Sequence, residues 1–198
     1  MKLILASQSA SRRALLAAAA VPFEPMSPQV DEDAAKAALR ADGLDARQLA
    51  DALAELKALK LSRKYPGDLV LGCDQTLSLE NGEMIDKATD VADAARILRR
   101  LSGATHYLHS AAVIAQGGQP VWRHVERVKM TMRPLSDMFI DDYLAREWEH
   151  VCWCVGCYRI EGPGAQLFSA ISGTQFAIQG LPLLPLLDFL RVRGVLAS

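Results

Sequence analysis

Short apolar runs alternate with helix-forming segments along the first third of the chain. The apolar run at residues 3–6 predicts a buried strand, and residues 11–20, which are rich in helix formers and end before Pro22, predict the first helix. Residues 33–65 predict two helices, the second of which repeats leucine at nearly helical spacing and carries Lys57 in its polar part. The chain therefore begins with a strand–helix unit and two further helices.

Hairpin patterns dominate the middle of the chain. Asn81–Gly82, a strong signal for a tight turn, joins an apolar strand to the segment "GEMI". The "QGGQP" turn divides residues 106–132 into two further strands, and the stretches "CWCVGCYRI" and "AQLFSAI" suggest more. Helices are predicted at "VADAARILRRLSG", at "LSDMFIDDYLARE" with Ser136 as its N-cap, and after Pro182. Hairpins combined with strand–helix alternation predict an α/β fold, a mixed twisted sheet flanked by helices, in a single domain over residues 1–198.

Composition and charge narrow the function classes. Apolar residues make up 51% of the chain, enough for a substantial core, and the formal net charge is -1. A nearly neutral chain offers no general field for nucleic acid, so any anion site must be local. No apolar run approaches the ~20 residues of a membrane span. Since the N-terminus has the pattern of a core strand and not of a signal peptide, we expect a cytoplasmic protein that binds neither nucleic acid nor membrane.

The cysteines leave two interpretations open. Cys73 stands alone, whereas Cys152, Cys154 and Cys157 form the stretch "CWCVGC". Three thiols in one short segment are a candidate zinc site, but closed structural sites use four ligands. Burial as small apolar residues in a strand is favoured, because free cysteine is among the most buried residue types.

The stretch "LASQSASRRALL" places hydroxyls and cations at the first strand-to-helix turn. Backbone N–H groups and the positive end of a helix dipole meet at such a turn and form an anion site. Ser7, Ser9 and Ser11 add hydroxyl donors, and Arg12 adds a forked guanidinium suited to phosphate oxygens. A serine N-cap followed by two solvated arginines, Arg12 and Arg13, is the alternative.

Four further charged residues are candidates for chemistry on a phosphate. Asp74 follows an apolar strand at its expected C-terminal end, where open α/β sheets bind ligands, and a carboxylate there can hold a metal or act as a general base. Alternatively, Asp74 only caps or turns the chain. Glu32, Lys57 and Lys87 each match a solvated surface charge when taken singly. Together with Asp74 they fit phosphoryl or nucleotidyl transfer on a metal-bound triphosphate.

Other catalytic patterns are missing from the sequence. The histidines form no HExxH motif, and His106 and His109 have the pattern of strand-surface residues. No Gly-x-Ser-x-Gly elbow and no GxxxxGK[ST] loop occurs, which disfavours a serine hydrolase and a Walker-type nucleotide site.

An ordered set of motifs resembles the Maf family of nucleoside triphosphate pyrophosphatases over nearly the whole chain. The motifs are "LASQSASRRALL", "QVDE", "ELKA", "LGCDQT", "GEMIDKATD", "ILRRLSGATH", "RPLSDMFIDDYL", "GCYRIEG" and "GLPLLPL". The resemblance implies a Maf/ITPase-like fold of two lobes with a central cleft. It also implies hydrolysis of a nucleoside triphosphate to the monophosphate and pyrophosphate, a divalent metal cation (Mg, Mn or Co) and a homodimer.

The resemblance also implies roles for individual residues. Asp74 matches the proton acceptor that activates water, and Glu32 and Asp74 match the metal ligands. Lys57 and Lys87 match catalytic cations that face the triphosphate. The substrate-binding positions are Ser7, Ser9, Ser11, Arg12, Arg13, Gln75 and Glu161.

The family resemblance is closest to the branch of 7-methyl-GTP pyrophosphatases. Gln75 in "CDQ" and Glu161 in "RIEG" match that branch, and a carboxylate can accept hydrogen bonds from a guanine edge. The departures are Ser11 in place of an aromatic residue, Asp86 and Ala88 in place of Gly and Pro, and His109–Ser110 in place of Thr-Gly. They motivate the alternative of a catalytically weak or inactive nucleotide-binding regulator of cell division or stress response.

Overall fold

The computed structural model describes residues 1–197, and within them seven strands form one mixed sheet. The strands are β1 (Leu3–Ala6), β2 (Glu24–Pro25), β3 (Leu69–Leu79), β4 (Met84–Ile85), β5 (Thr105–Gln116), β6 (Gln119–Met132) and β7 (Phe168–Ser172). Their order is β2-β1-β3-β5-β6-β7, and β4 pairs with β3 as a hairpin. The predicted mixed sheet is confirmed.

The helices flank this sheet. They are α1 (Ala10–Ala18), α2 (Glu32–Ala41), α3 (Ala46–Ser62), α4 (Val91–Leu101), α5 (Asp137–Val151), α6 (Gln175–Ile178) and α7 (Leu183–Val192). Ser136 caps α5, as predicted, because its side chain accepts a hydrogen bond from the backbone N–H of Phe139.

The directions of the strands determine where a ligand can enter. β1 runs parallel to both β2 and β3, whereas every other strand pair is antiparallel. Since β1 ends at Ala6, opposite Gly72, the longer β3 continues past it. Asp74 therefore lies in the middle of β3, which corrects its predicted place at the end of the strand. It still comes just after the carboxyl end of the segment in which β1 and β3 pair.

The long helix α3 packs closely against β3. Its buried face includes Ala50, Ala54 and Ala58, whose small side chains let the helix backbone approach the strand. A Cβ built on Gly72 would lie 2.1 Å from the backbone oxygen of Ala54, closer than any two such atoms can stand. The helix and the strand are thus in backbone contact at this point.

Lys57 lies on this buried face of α3, which corrects its predicted place in the polar part of the helix. Three of the predicted leucines, Leu49, Leu53 and Leu61, are buried on this face, but alanines and Lys57 share it and Leu56 points outward. Ala54 and Ala58 beside Lys57 are small and leave room for the lysine side chain to reach the sheet.

The "CWCVGCYRI" stretch is not a strand, contrary to expectation. Residues Val155–Cys157 form a 3-10 turn, with Gly156 at a φ of 78° and Cys157 at a φ of 58°. Two consecutive residues in the left-handed region cannot continue an extended chain. The "AQLFSAI" strand is confirmed in part: its last four residues belong to β7, whereas the first three lie in the 3-10 turn Pro163–Leu167.

The two predicted strand-surface histidines are buried. His106 is 0% exposed and its Nε2 lies 2.8 Å from the hydroxyl of Tyr158, while the Nε2 of His109 lies 3.0 Å from the hydroxyl of Ser78. The expectation was wrong because β5 is covered on both faces, so its alternation carries no solvent side.

Two large apolar clusters divide the core. One surrounds α4 and α5, and the other surrounds β1, α1 and α7. A cleft opens between the parts of the molecule built on these clusters, in agreement with the expected fold class. Of the helices in residues 1–197, none combines the length and the apolar character needed to cross a bilayer.

Candidate active site

One cleft of about 960 Å³ gathers the residues that the sequence analysis selected. Its walls include Ser7, Ser9, Ser11, Arg12, Glu32, Lys57, Asp74, Gln75, Lys87 and Glu161. Residues far apart in sequence meet here because the turn after β1, the N-terminus of α2 and the buried face of α3 all border the middle of β3.

The centre of the cleft is one lysine shared by two carboxylates. The Nζ of Lys57 lies 2.6 Å from Oδ1 of Asp74 and 2.7 Å from Oε2 of Glu32. The side chains of Lys57 and Asp74 are buried, whereas that of Glu32 is 40% exposed. A buried ammonium and a buried carboxylate are each costly, so each is found where the other compensates it.

The two carboxyl groups are placed in different electrostatic environments. Burial raises the pKa of Asp74; the Lys57 charge opposes the rise without cancelling it, and the Glu32 charge adds to it. Burial acts in the same direction at Glu32, but nearby cations, Lys57 first, outweigh it and hold the pKa of Glu32 below its ordinary value. Two carboxyls with pKa values pushed apart suit different roles, one as a proton acceptor and one as a permanent anion.

The turn after β1 is both a helix cap and part of the cleft wall. Ser9 is the N-cap of α1, and its side chain accepts a hydrogen bond from the N–H of Arg12 at 3.4 Å. The hydroxyl of Ser7 accepts from the N–H of Ser9 at 3.2 Å. Ser9 therefore combines the capping role with a position in the cleft, and Ser7 lines the cleft beside it.

Arg12 is fixed in place by backbone carbonyls and is not a solvated surface cation. Its Nη1 donates to the carbonyl of Cys73 at 3.1 Å and to the Ser7 hydroxyl at 3.3 Å, and its Nε donates to the carbonyl of Gly180 at 2.8 Å. Gly180 adopts a φ of 92°, a conformation that favours glycine, and so turns its carbonyl toward the guanidinium. This arrangement orients a cation toward the cleft beside Asp74.

Arg13 does not line the cleft. Among residues 1–197, which the structure describes, it is the one predicted substrate-binding residue outside the cleft wall. Its guanidinium is exposed and donates to the carbonyl of Gln8 at 3.3 Å. Consecutive helical residues point about 100° apart, so Arg12 and Arg13 cannot both face one cleft wall.

Gln75 lines the cleft, but its amide nitrogen is engaged within the protein. Nε2 lies 2.8 Å from the hydroxyl of Ser110 and within 3.0 Å of the carbonyls of Ala177 and Ile178. The Ser110 hydroxyl itself donates to the carbonyl of Ala177 at 2.5 Å. Gln75 on β3 and Ser110 on β5 thus both hydrogen-bond to α6. The contribution of Ser110 is to hold Gln75 and α6 in place.

Glu161 and Ser11 are in contact although 150 residues separate them. The Ser11 hydroxyl donates to Oε1 of Glu161 at 3.3 Å at the exposed border of the cleft. The two positions that bear on base recognition in the family resemblance therefore form one local pair.

The sequence analysis missed two cleft cations, Lys36 and Arg40. Both lie on α2 at four-residue steps from Glu32, which is the spacing that could have revealed them. Arg40 binds Asp86 with Nη1 to Oδ2 at 2.7 Å and Nη2 to Oδ1 at 3.1 Å, and Lys36 pairs with the same carboxylate. Burial would raise the pKa of Asp86, but the hydrogen bonds from these cations outweigh it and lower the pKa.

Ion pairs connect helix α2 to the rest of the cleft. None of its ten described residues is buried. Its N-terminal end is held through Glu32 to Lys57, and its face is held through Lys36 and Arg40 to Asp86. Asp86, which departs from the family pattern, therefore binds the helix that forms one wall of the cleft.

The donor set suits a divalent cation that also binds phosphate. Within residues 1–197 no group of three or more His, Cys, Asp and Glu side chains is arranged to hold a metal ion by itself. Mg²⁺ commonly uses only one or two carboxylates and completes its shell with substrate phosphates and water. Glu32 and Asp74, which face the same cleft, provide such a pair.

The cysteine stretch does not form a zinc site in the described residues, because its thiols are not arranged with other ligands to hold a metal ion. Burial raises the pKa of Cys154 to about 11 and that of Cys157 to about 12. Without a metal ion both thiols are therefore protonated at neutral pH, and zinc would have to displace these protons to bind them.

Comparison with known proteins identifies relatives over the whole length. The sequence profile of the family described as Maf-like protein matches residues 2–193. A protein of Caulobacter vibrioides named nucleoside triphosphate pyrophosphatase is 54% identical over 97% of this chain and 96% of its own length. Proteins with the same name from Sphingopyxis alaskensis and Ruegeria pomeroyi are 49% identical (98% of each chain) and 50% identical (98% of this chain, 97% of the relative).

Proposed function

The chain belongs to the Maf family, and from this we propose that it hydrolyses a nucleoside triphosphate to the monophosphate and pyrophosphate in the cleft. The name of the relatives supplies the reaction. The observation that carries the proposal for this chain is the position of Lys57 between Asp74 and Glu32. The arrangement offers a proton acceptor, an anion and a cation within one hydrogen-bonded group.

Asp74 acts as the general base. Its raised pKa makes it a better proton acceptor than an exposed aspartate, and its position in the cleft lets it face a bound water. Lys57 engages Oδ1, so the proton of the attacking water passes to Oδ2. The water oxygen bonds to the α-phosphorus, the bond from that phosphorus to the bridging oxygen breaks, and pyrophosphate leaves with the electron pair.

Cations of the chain hold the triphosphate for this attack. Arg12, already oriented by two backbone carbonyls, presents its guanidinium toward phosphate oxygens, and Lys87 lines the same cleft. Such charges act most strongly where charge develops on the phosphoryl oxygens and the leaving pyrophosphate.

Glu32 and Asp74 would hold a divalent cation, Mg²⁺, Mn²⁺ or Co²⁺. When bound, such a cation would neutralise part of the phosphate charge and raise the electrophilicity of the phosphorus. The lowered pKa of Glu32 keeps that carboxylate ionised for this purpose across the neutral range.

A modified guanine nucleotide, 7-methyl-GTP, is the substrate we propose. Glu161 and Ser11 form a hydrogen-bonded pair on the cleft border, and the carboxylate can accept hydrogen bonds from the N–H groups of a guanine edge. A negative charge beside the base also favours the positively charged ring of 7-methylguanine over a neutral base.

A panel of nucleotides tests the activity and the base preference together. The wild-type protein is incubated with 7-methyl-GTP, GTP, dTTP and UTP in Mg²⁺, Mn²⁺ or Co²⁺, and pyrophosphate release is measured. We expect release that EDTA stops, highest with 7-methyl-GTP, and lost in Asp74→Asn but retained in Asp188→Asn, an exposed site on α7. If nucleotides bind saturably but none yields pyrophosphate, the proposal of an enzyme is refuted, and a nucleotide-binding regulator is the interpretation that fits.

A further inference from the structure

Trp153 is an exposed aromatic side chain in the wall of the cleft. It is 78% exposed, although tryptophan is on average one of the more buried residues, and it lines the same cavity as Asp74 and Glu161. A large π-surface that faces a ligand cleft and has no packing role in the described core calls for an explanation in binding.

The backbone around Trp153 is anchored, so the side chain is presented at a fixed place. Trp153 follows the last residue of α5, Val151, which is fully buried. The N–H of Cys154 donates to the carbonyl of Val151 at 2.9 Å, and Val155 is buried again immediately afterwards. Of the three residues between these anchors, Cys152 and Cys154 are half-buried and Trp153 alone is exposed.

Trp153 lines the same cleft as the pair formed by Glu161 and Ser11, and so does its chain neighbour Cys154. The carboxylate, the hydroxyl and the indole all border the same cavity. These three side chains offer what a purine ring requires: a flat face and an acceptor at the edge.

We infer that Trp153 stacks on the base of the bound nucleotide while Glu161 accepts hydrogen bonds from the edge of that base. Together, Trp153 and Glu161 select a positively charged purine. The inference rests on the proposed function only in that it takes a nucleotide as the ligand. Among aromatic side chains, indole binds a cation most strongly on its face, and a nearby carboxylate attracts the same cation by its negative charge. A pyrimidine offers less surface to the indole and a different hydrogen-bonding edge to the carboxylate.

Fluorescence tests the contact without requiring catalysis. The chain has three tryptophans, and a ring stacked on a base is quenched. We expect 7-methyl-GMP to quench the wild-type emission more than GMP, and UMP least. The quench should disappear in Trp153→Phe and persist in Trp122→Phe, because Trp122 packs against Phe189 away from the residues that line the cleft.

Kinetics provide the second readout. In Trp153→Ala the KM for 7-methyl-GTP should rise roughly 5- to 100-fold, the range given by loss of one base–aromatic stack, with kcat little changed. Inhibition by inorganic tripolyphosphate, which has no base, should be unaltered. Trp153→Phe should recover most of the affinity.

The outcomes separate this inference from the proposed function. If no nucleotide yields pyrophosphate but 7-methyl-GMP still quenches Trp153, the activity is refuted and the stacking stands. If the wild type hydrolyses nucleotides and Trp153→Ala keeps both its KM and its full quench, the stacking is refuted and the activity stands. A smaller assembly in Trp153→Ala than in the wild type by gel filtration, with unchanged nucleotide affinity per subunit, would also overturn the stacking.

Discussion

Lys57 and Asp74 form a buried ion pair between a helix and a strand, with 2.6 Å between Nζ and Oδ1. The pair is close because α3 and β3 are in backbone contact two residues away along the strand, at Gly72. Asp74 is therefore held by an element that also belongs to the core, while the second partner of Lys57, Glu32, comes from α2, none of whose described residues is buried. One lysine links a rigid part of the cleft to a less firmly packed one.

Removal of the shared cation should reduce the rate of hydrolysis and change its pH dependence. In Lys57→Met we expect pyrophosphate release to fall on the order of 100-fold, because a positive charge near the phosphates is lost. The acid limb of kcat/KM should move to higher pH, since Lys57 opposes the rise in the pKa of Asp74. Lys60→Met, an exposed change on the same helix, should leave rate and limb unaltered. An unchanged limb in Lys57→Met would assign the base to another residue.

The pH profile of the wild type should report the burial of Asp74. Catalysis needs this carboxylate without its proton, so kcat/KM should rise with pH and reach a plateau above its pKa. Because burial raises that pKa, the limb should lie above the value of about 3.9 for an unperturbed aspartate. The profile of kcat/KM is measured at constant ionic strength and at a metal concentration well below saturation, because a divalent cation bound to Asp74 would itself lower the pKa. A plateau that extends below pH 4 would contradict the role.

Loss of the carboxylate at residue 86 should loosen α2 without unfolding the protein. In Asp86→Asn, Arg40 and Lys36 lose a common partner, and the helix has no buried side chain to hold it. We expect amide hydrogen exchange in α2 to accelerate roughly 3- to 10-fold while α3 is unaffected, and global stability to change by less than about 1 kcal/mol.

Its matched control is Glu83→Gln, which breaks an exposed pair with Arg100 and leaves α2 untouched. Equal exchange rates in α2 for Asp86→Asn and the wild type would show that the ion pairs do not position this helix.

His106 should make the protein sensitive to acid. Burial lowers its pKa to about 4 from an ordinary value of 6.5, so the unfolded chain binds a proton that the folded one excludes. The stability from neutral His106 is present above about pH 6.5 and is lost as the pH falls toward 4, by up to about 3 kcal/mol.

Denaturant unfolding at several pH values measures this loss. The slope between pH 6.5 and 4 should be smaller in His106→Gln, whereas the exposed His150→Gln variant should keep the wild-type slope. The same slope in all three proteins would show that His106 does not cause the acid sensitivity.

Local sequence signals predicted most of the framework. The Asn81–Gly82 turn, the Ser136 cap and the helix after Pro182 depend on neighbours within a few residues, and the structure has each of them. The place of Asp74 beside the turn after β1 also follows from strand order, once β1 and β3 are known to be parallel.

The errors arose where tertiary packing determines the environment. The leucine pattern of α3 found part of the buried face but not the alanines and Lys57 that share it, and the two covered faces of β5 bury His106 and His109. The left-handed backbone at Gly156 and Cys157 breaks a stretch that has the composition of a strand. The four-residue spacing along α2 could indicate Lys36 and Arg40, but their shared partner at residue 86 is too distant in sequence to be found from a local pattern.

The close approach at Gly72 makes one position intolerant of any substitution. A methyl group there would collide with the backbone of α3 at Ala54 and Ala58, which side-chain rearrangement cannot relieve. Displacement of α3 would carry Lys57 away from Asp74, so even a variant that still folds should be impaired in hydrolysis. In a library of single variants selected for activity, residue 72 should therefore recover glycine alone, although it touches no substrate.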